Sequence, residues 1–188
     1  MKRCGWVNEH NPLYVAYHDE EWGRPVKEDQ RLFELLCLES YQAGLSWETV
    51  LNKRSAFRQA FDDYDVSKVA QMADSELENL LANPAIIRHR AKIFATRQNA
   101  QAFLKVQQEY GTFASYLWSW VNFTPIDNLV KNYREVPSKT PLSVQLSKDL
   151  KKRGFTFVGP VCVYSYLQAA GLVNDHEVGC FCKGDSHE

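Results

Sequence analysis

The chain has 188 residues, 45% hydrophobic and 24% charged, with a net charge of −1. That balance excludes a disordered chain and suits one compact domain over residues 1–188, or two closely packed lobes, with a core that needs no disulfide staples. No apolar run reaches the roughly 20 residues of a membrane helix, and Met1-Lys2-Arg3-Cys4-Gly5-Trp6 lacks the apolar stretch of a secretion signal, so a soluble, cytoplasmic protein with no membrane partner is expected.

Helical periodicity dominates in chain order. Leu32, Leu35, Leu36 and Glu39 fall at i, i+3, i+4 and i+7 and predict a helix over 29–39, with the Glu39 carboxyl turned onto the apolar face. Ser46 suits a helix N-cap, with Leu45 and Val50 as a hydrophobic staple across it. Further helices are expected near 47–61, 66–72, 74–82, 85–109 and 111–121, and an irregular connection over 122–141, where Pro125, Pro137 and Pro141 fall. Leu142, Leu146 and Leu150 then line one helix face, which ends at Lys151-Lys152-Arg153-Gly154. Gly159-Pro160 opens a last helix running to about Ala170. Strand signals are scarce, so the fold class is all-α, and the final pair of helices has a helix-hairpin-helix layout with the hairpin near 151–160.

Three constellations bear chemistry. Residues 131–153 carry seven basic residues against two acidic ones, whereas residues 1–50 carry five against nine. Backbone amides around Gly159, flanked by Lys151, Lys152, Arg153 and Gly154, suit a DNA phosphate, though a plain helical turn with a solvated basic face accounts for the same residues. Near the N-terminus, Trp6, Tyr14, Tyr17, Trp22, Tyr41 and Trp47 surround Glu39 in sequence. Flat rings and one carboxylate can stack and hydrogen-bond a base, or they form an aromatic core with one satisfied acid. Third, the five cysteines (Cys4, Cys37, Cys162, Cys180, Cys182) are an odd number, which speaks against a disulfide framework. His176 and Cys180 have metal-ligand spacing, with Cys4 and His18 as partners from the other end of the chain and Cys182 as a competitor for Cys180; buried free thiols are the alternative.

Several separate motifs, in order, resemble the 3-methyladenine DNA glycosylase I family. They are Arg3-Cys4-Gly5-Trp6, Tyr14-Val15-Ala16-Tyr17-His18-Asp19 with Glu21-Trp22-Gly23, Glu39 with Gln42-Ala43-Gly44-Leu45-Ser46-Trp47, Ile86-Ile87-Arg88-His89-Arg90 with Lys92-Ile93, Trp118-Ser119 with Val121-Asn122, and the stretch from Leu150 to His176. Ala85 departs from the family's usual glycine, and Phe181 separates Cys180 from Cys182.

The resemblance implies a helix-hairpin-helix glycosylase fold whose N- and C-terminal segments are joined by one structural Zn2+ on Cys4, His18, His176 and Cys180. It implies a base pocket in which Glu39 and Tyr17 contact the methylated adenine and Trp47, Trp6 and Tyr14 form walls, with Gly44 and Leu45 filling the gap left by the flipped nucleotide. The expected enzyme is a monomeric, monofunctional glycosylase that acts on alkylated double-stranded DNA and releases free 3-methyladenine. The substrate base is already cationic, so no general acid is needed, and Asp175 is not expected to stabilise the sugar cation. The rival reading is a non-catalytic, zinc-stabilised helix-hairpin-helix DNA-binding module.

Overall fold

The computed structural model describes residues 1–187. Among them are ten α-helices: α1 (Pro12–Glu20), α2 (Asp29–Tyr41), α3 (Trp47–Asn52), α4 (Arg54–Ala60), α5 (Val66–Ala70), α6 (Asp74–Leu80), α7 (Arg90–Tyr110), α8 (Phe113–Ser119), α9 (Pro141–Lys152) and α10 (Pro160–Ala169). Extended structure is confined to β1 (Ile126–Asp127) and β2 (Val173–Asn174), paired in parallel with Ile126 opposite Val173. The all-α expectation holds, and among the described residues no helix is long and apolar enough to cross a membrane.

The second helix is the axle. Every residue from Leu32 to Tyr41 is buried, not only the predicted stripe, because α3, α7, α8 and α10 pack around it. Its first residue also works at a distance. The Asp29 carboxylate accepts from Phe113 N (2.8 Å) and Ala114 N (2.9 Å), two amides of the first turn of α8 that have no partner within that helix.

Three elements depart from the expected pattern. Helix α1 has no apolar period, so periodicity misses it; it forms because the Asn11 side chain accepts from Leu13 N (3.0 Å) and Pro12 takes the first helical position. The segment 47–61 is two helices broken at Lys53. The helix expected from 85 begins at Arg90, where His89 Nδ1 accepts from Lys92 N (3.2 Å) as N-cap.

Helices α9 and α10 pack against each other across the turn 153–159. Thr140 and Ser143 close a capping box ahead of Pro141, and Gly154 (φ +100°) releases the chain. Asn99, from α7, fastens the turn by accepting from Thr156 N (2.8 Å) and donating to Thr156 O (3.0 Å). Gly159 caps α10 with no side-chain bond, which leaves the first-turn amides without a protein cap.

At the end of α10 the chain passes against the segment Gly23–Val26, with Val26 N donating to Ala170 O (2.9 Å). Gly171 has φ +77°, and a Cβ there would stand 2.4 Å from the Arg24 carbonyl carbon. Backbone cannot yield as a side-chain tip can. Gly171→Ala is therefore expected to destabilise the fold by about 2–4 kcal/mol in urea unfolding.

Candidate active site

A cavity of about 300 Å³ lies between the N-terminal helices on one side and α10 with the segment 133–138 on the other. Its lining includes six of the seven residues singled out in the sequence, Trp6, Tyr14, Tyr17, Trp22, Glu39 and Trp47; the seventh, Tyr41, is buried in the main core instead, with its hydroxyl bonded to Thr96 (2.9 Å). The rings hold one another. Trp6 meets Trp22 edge-on at 4.8 Å and Tyr14 at 5.5 Å, while Tyr17 meets Trp47 at 5.3 Å between centroids. The opposite wall, which includes Tyr133, Tyr164, Ser165 and Gln168, is absent from the sequence reading. These residues lie about ninety to one hundred and thirty positions from Glu39, and their residue types give no clustered signal.

Glu39 is 5% exposed, and no hydrogen bond to its carboxyl forms among the described residues. Burial pushes its pKa up to about 8. The carboxyl expected as a standing anion is therefore mostly protonated at neutral pH until something favours its charge. Burial, and then the proximity of Glu39, raises the Tyr17 phenol well above its ordinary value, while burial pushes Tyr14 up to about 12. Both hydroxyls keep their protons and remain donors. Asp175 also lines the cavity, yet its carboxylate already accepts from Asn128 Nδ2 (2.8 Å), Gln168 Nε2 (2.8 Å) and the Tyr164 hydroxyl. Among the described residues, no lysine lines the cavity.

The expected metal ligands come together behind this wall. Ligand atoms of Cys4, His18 and Cys180 lie within 4.8 Å of one another, as do those of His18, His176 and Cys182, and all five residues are buried. Geometry alone thus leaves Cys180 and Cys182 both in reach. The donor set fits Zn2+. His18 Nδ1 pairs with Asp19 Oδ1 (2.8 Å) and His176 Nδ1 with Asn174 Oδ1 (3.1 Å), so each ring turns its Nε2 inward. His176 Nε2 is buried without a hydrogen-bond partner, which a metal would supply. Glu177 N donates to Cys4 Sγ and Cys182 N to Cys180 Sγ, both at 3.4 Å. Gly23 makes room: a Cβ there would stand 2.4 Å from His176 Cε1. With four protein ligands such an ion is structural.

The remaining sequence-predicted residues divide. Leu45 is 37% exposed and outside the core, whereas Val50 is fully buried, so the predicted staple does not form. Gly44 (φ +81°) turns the chain outward there, between the two cavity residues Glu39 and Trp47. Lys151 and Lys152 are exposed beside Gly154 and Gly159. Arg153 is committed elsewhere: it donates to Asp149 (2.8 Å), Glu109 (2.8 Å) and the Tyr110 hydroxyl (3.0 Å). Those bonds tie α9 to the end of α7, so the cations of this turn without such partners are the two lysines.

The methyladenine glycosylase family model matches residues 6–183. The chain belongs to that family. It is 50% identical to DNA-3-methyladenine glycosylase 1 of Escherichia coli strain K12 over 182 residues, covering 97% of each chain. It is 48% identical to DNA-3-methyladenine glycosylase of Haemophilus influenzae over 181 residues, covering 96% of this chain and 97% of that one. A solved tyrosine-to-phenylalanine variant of 3-methyladenine DNA glycosylase I, in complex with 3-methyladenine, superposes with a TM-score of 0.94 at 43% identity and covers 97% of this chain and 98% of that one. The aromatic cavity thus sits in a methyladenine glycosylase fold along essentially its whole length.

The buried acid also has a stability signature. With a folded pKa near 8 against an ordinary 4.5, the native state holds a proton that the unfolded chain has lost between those values. This contribution is fully present below about pH 4.5 and is lost as pH rises through 8. Glu39→Gln is expected to match the parent near pH 4.5 and to exceed it by about 1 kcal/mol or more at pH 8.5, measured by denaturant unfolding at both values.

Proposed function

We propose that the chain flips N3-methyladenine out of alkylated duplex DNA into the aromatic cavity and hydrolyses its N-glycosidic bond, leaving an abasic site. Membership of the methyladenine glycosylase family and the names of its close relatives support the activity. The single observation that carries the mechanism is the unpaired Glu39 carboxyl enclosed by tryptophan and tyrosine rings.

The chemistry follows from the substrate. N3-methylation gives the adenine a positive charge, so bond cleavage releases a neutral base and needs no general acid. The enzyme's problem is to distinguish this cation from neutral bases. Ionising an acid of pKa about 8 at pH 7 takes about 1.4 kcal/mol. A cation at about 4 Å in a medium of effective dielectric 20 returns about 4 kcal/mol. Glu39 therefore gives up its proton for a cationic ring and keeps it for undamaged adenine, which receives no ion pair. The Tyr17 hydroxyl donates to an acceptor nitrogen on the same base, and Trp6, Tyr14, Trp22 and Trp47 enclose it and attract its charge. Asp175, held by three donors, is not free to follow the sugar cation, and the lysine-free cavity supports hydrolysis without a Schiff base.

DNA is held by its backbone. The uncapped amides at the start of α10 after Gly159, with Lys151 and Lys152 beside Gly154, suit phosphate in a helix-hairpin-helix manner. Leu45 on Gly44 suits the space vacated by the flipped nucleotide. One structural Zn2+ on Cys4, His18, His176 and Cys180 joins the N- and C-terminal segments; bound there, it supplies cross-linking and no reaction step.

Two outcomes test this reading. Glu39→Ala is expected to lower single-turnover release of 3-methyladenine from methylated DNA by more than about tenfold, which is more than about 1.4 kcal/mol of transition-state stabilisation; unchanged release would remove Glu39 from this role. Metal analysis of the purified protein is expected to find one zinc per chain, and His176→Ala to lose it with a fall in unfolding stability of several kcal/mol.

A further inference from the structure

The motif around the start of α7 contains a lysine that the proposed function does not use. Lys92 is 6% exposed although it sits in the first turn of the helix. A buried ammonium without partners is strongly unfavourable. Its Nζ donates to Tyr41 O (2.8 Å) and Ala43 O (2.7 Å), and both partners are backbone carbonyls. Burial lowers the pKa of this amine.

Those carbonyls have a particular place. Tyr41 is the last residue of α2, where carbonyls lack an acceptor's usual amide four residues on and carry the negative end of the helix dipole. Ala43 lies in the turn that follows, which Leu45 N closes by donating to Gln42 O (2.7 Å). Gly44, at φ +81° with nothing within 4 Å of its Cβ position, adds no packing of its own. At the far end, Ser46 Oγ accepts from Thr49 N (3.2 Å) and starts α3. Between the end of α2 and that cap, Lys92 is thus the side chain that pins the turn to the rest of the protein through two hydrogen bonds.

We propose that Lys92 is a positioning residue for nucleotide flipping: it clamps the turn 42–45, which lies between the cavity residues Glu39 and Trp47, so that Leu45 is presented rigidly to the DNA. This rests on the reading of Leu45 as the residue that fills the flipped nucleotide's space. Glu39 and Trp47 are held by α2 and α3 themselves, and of the cavity-lining residues only Gln42 belongs to the turn, so loss of the clamp loosens the wedge and leaves the acid and the rings of the pocket standing. The consequence is a split between substrates. Methylated duplex DNA needs the wedge, whereas free 3-methyladenine does not.

The test compares Lys92→Met and Leu45→Ala with the parent in two measurements: single-turnover excision from methylated duplex DNA, and binding of free 3-methyladenine followed by tryptophan fluorescence. Lys92→Met is expected to slow duplex excision by about tenfold with free-base affinity within about twofold of the parent, and Lys92→Arg to recover most of the rate. The double variant Leu45→Ala/Lys92→Met is expected to be no slower than the slower single variant, because both act through one wedge. Should Lys92→Met fail to fold, Lys92→Gln is held to the same two criteria. Duplex excision unchanged in Lys92→Met while Leu45→Ala is impaired overturns the clamp and spares the wedge. Unchanged excision in Leu45→Ala overturns the wedge and the clamp with it. Free-base binding lost together with excision in Lys92→Met overturns the clamp, since Lys92 then holds the pocket itself.

Discussion

Holding an unpaired, buried carboxyl among aromatic rings is the constraint around which the rest of the structure is arranged. The same helix shows the alternative. Glu34, five residues before Glu39 in α2 and equally buried, is bonded by Arg54 (2.7 Å) and Arg58 (3.0 Å to the same oxygen). Burial alone would raise the Glu34 pKa, but those hydrogen bonds win and hold it below the usual carboxylate value. Glu39 has no such partner, and its pKa moves the other way, to about 8. One acid is neutralised for structure; the other is left open to a ligand. An unpartnered buried acid persists only where the surroundings are over-determined, and α2 supplies this by being enclosed on every side.

The thiol and imidazole cluster is built into the same wall as the cavity. His18 meets Trp6 edge-on at 5.2 Å, and His176 meets Trp22 at 4.8 Å. Two of the three cavity tryptophans therefore rest on residues that fit Zn2+, while Trp47 rests on Tyr17. Glu177 extends the connection: its carboxylate accepts from Gly5 N, next to Trp6, and from Tyr133 N (3.2 Å) on the opposite wall. The two segments that close the cavity thus hang from one residue beside His176. A cross-link at this position would fix ring geometry directly.

What the sequence reveals here depends on whether the signal is local. Trp6, Tyr14, Tyr17, Trp22, Glu39 and Trp47 are close together in the chain, and all six line the cavity. The i, i+3, i+4, i+7 spacing correctly buries Glu39. Tyr164 and Gln168 reach the same cavity only because α10 packs on α2, a tertiary fact with no local trace. Helix α1 escapes a periodicity search because its apolar residues form no stripe and only Tyr17 and His18 are buried, although Asn11-Pro12 carries its start signal. Charge counting also misleads at Arg153, which belongs numerically to the basic run but is bound to Asp149 and Glu109. A count of charges cannot distinguish a free cation from a paired one; only partners do.

The thin catalytic equipment is consistent with where the chemical difficulty lies. A cationic leaving group has already been activated by damage, so the barrier that remains for the protein to lower is mostly that of extraction and selection. A carboxyl that is neutral in the empty cavity suits both tasks. It does not have to be stripped of a tightly held hydration shell when the base enters, and it gains its charge only against a ring that carries the opposite one. Once the bond breaks, the base becomes neutral and the ion pair disappears with it. The attraction that favours the damaged nucleotide is then absent from the product complex, so the charge that selects the substrate does not hold the released base in place.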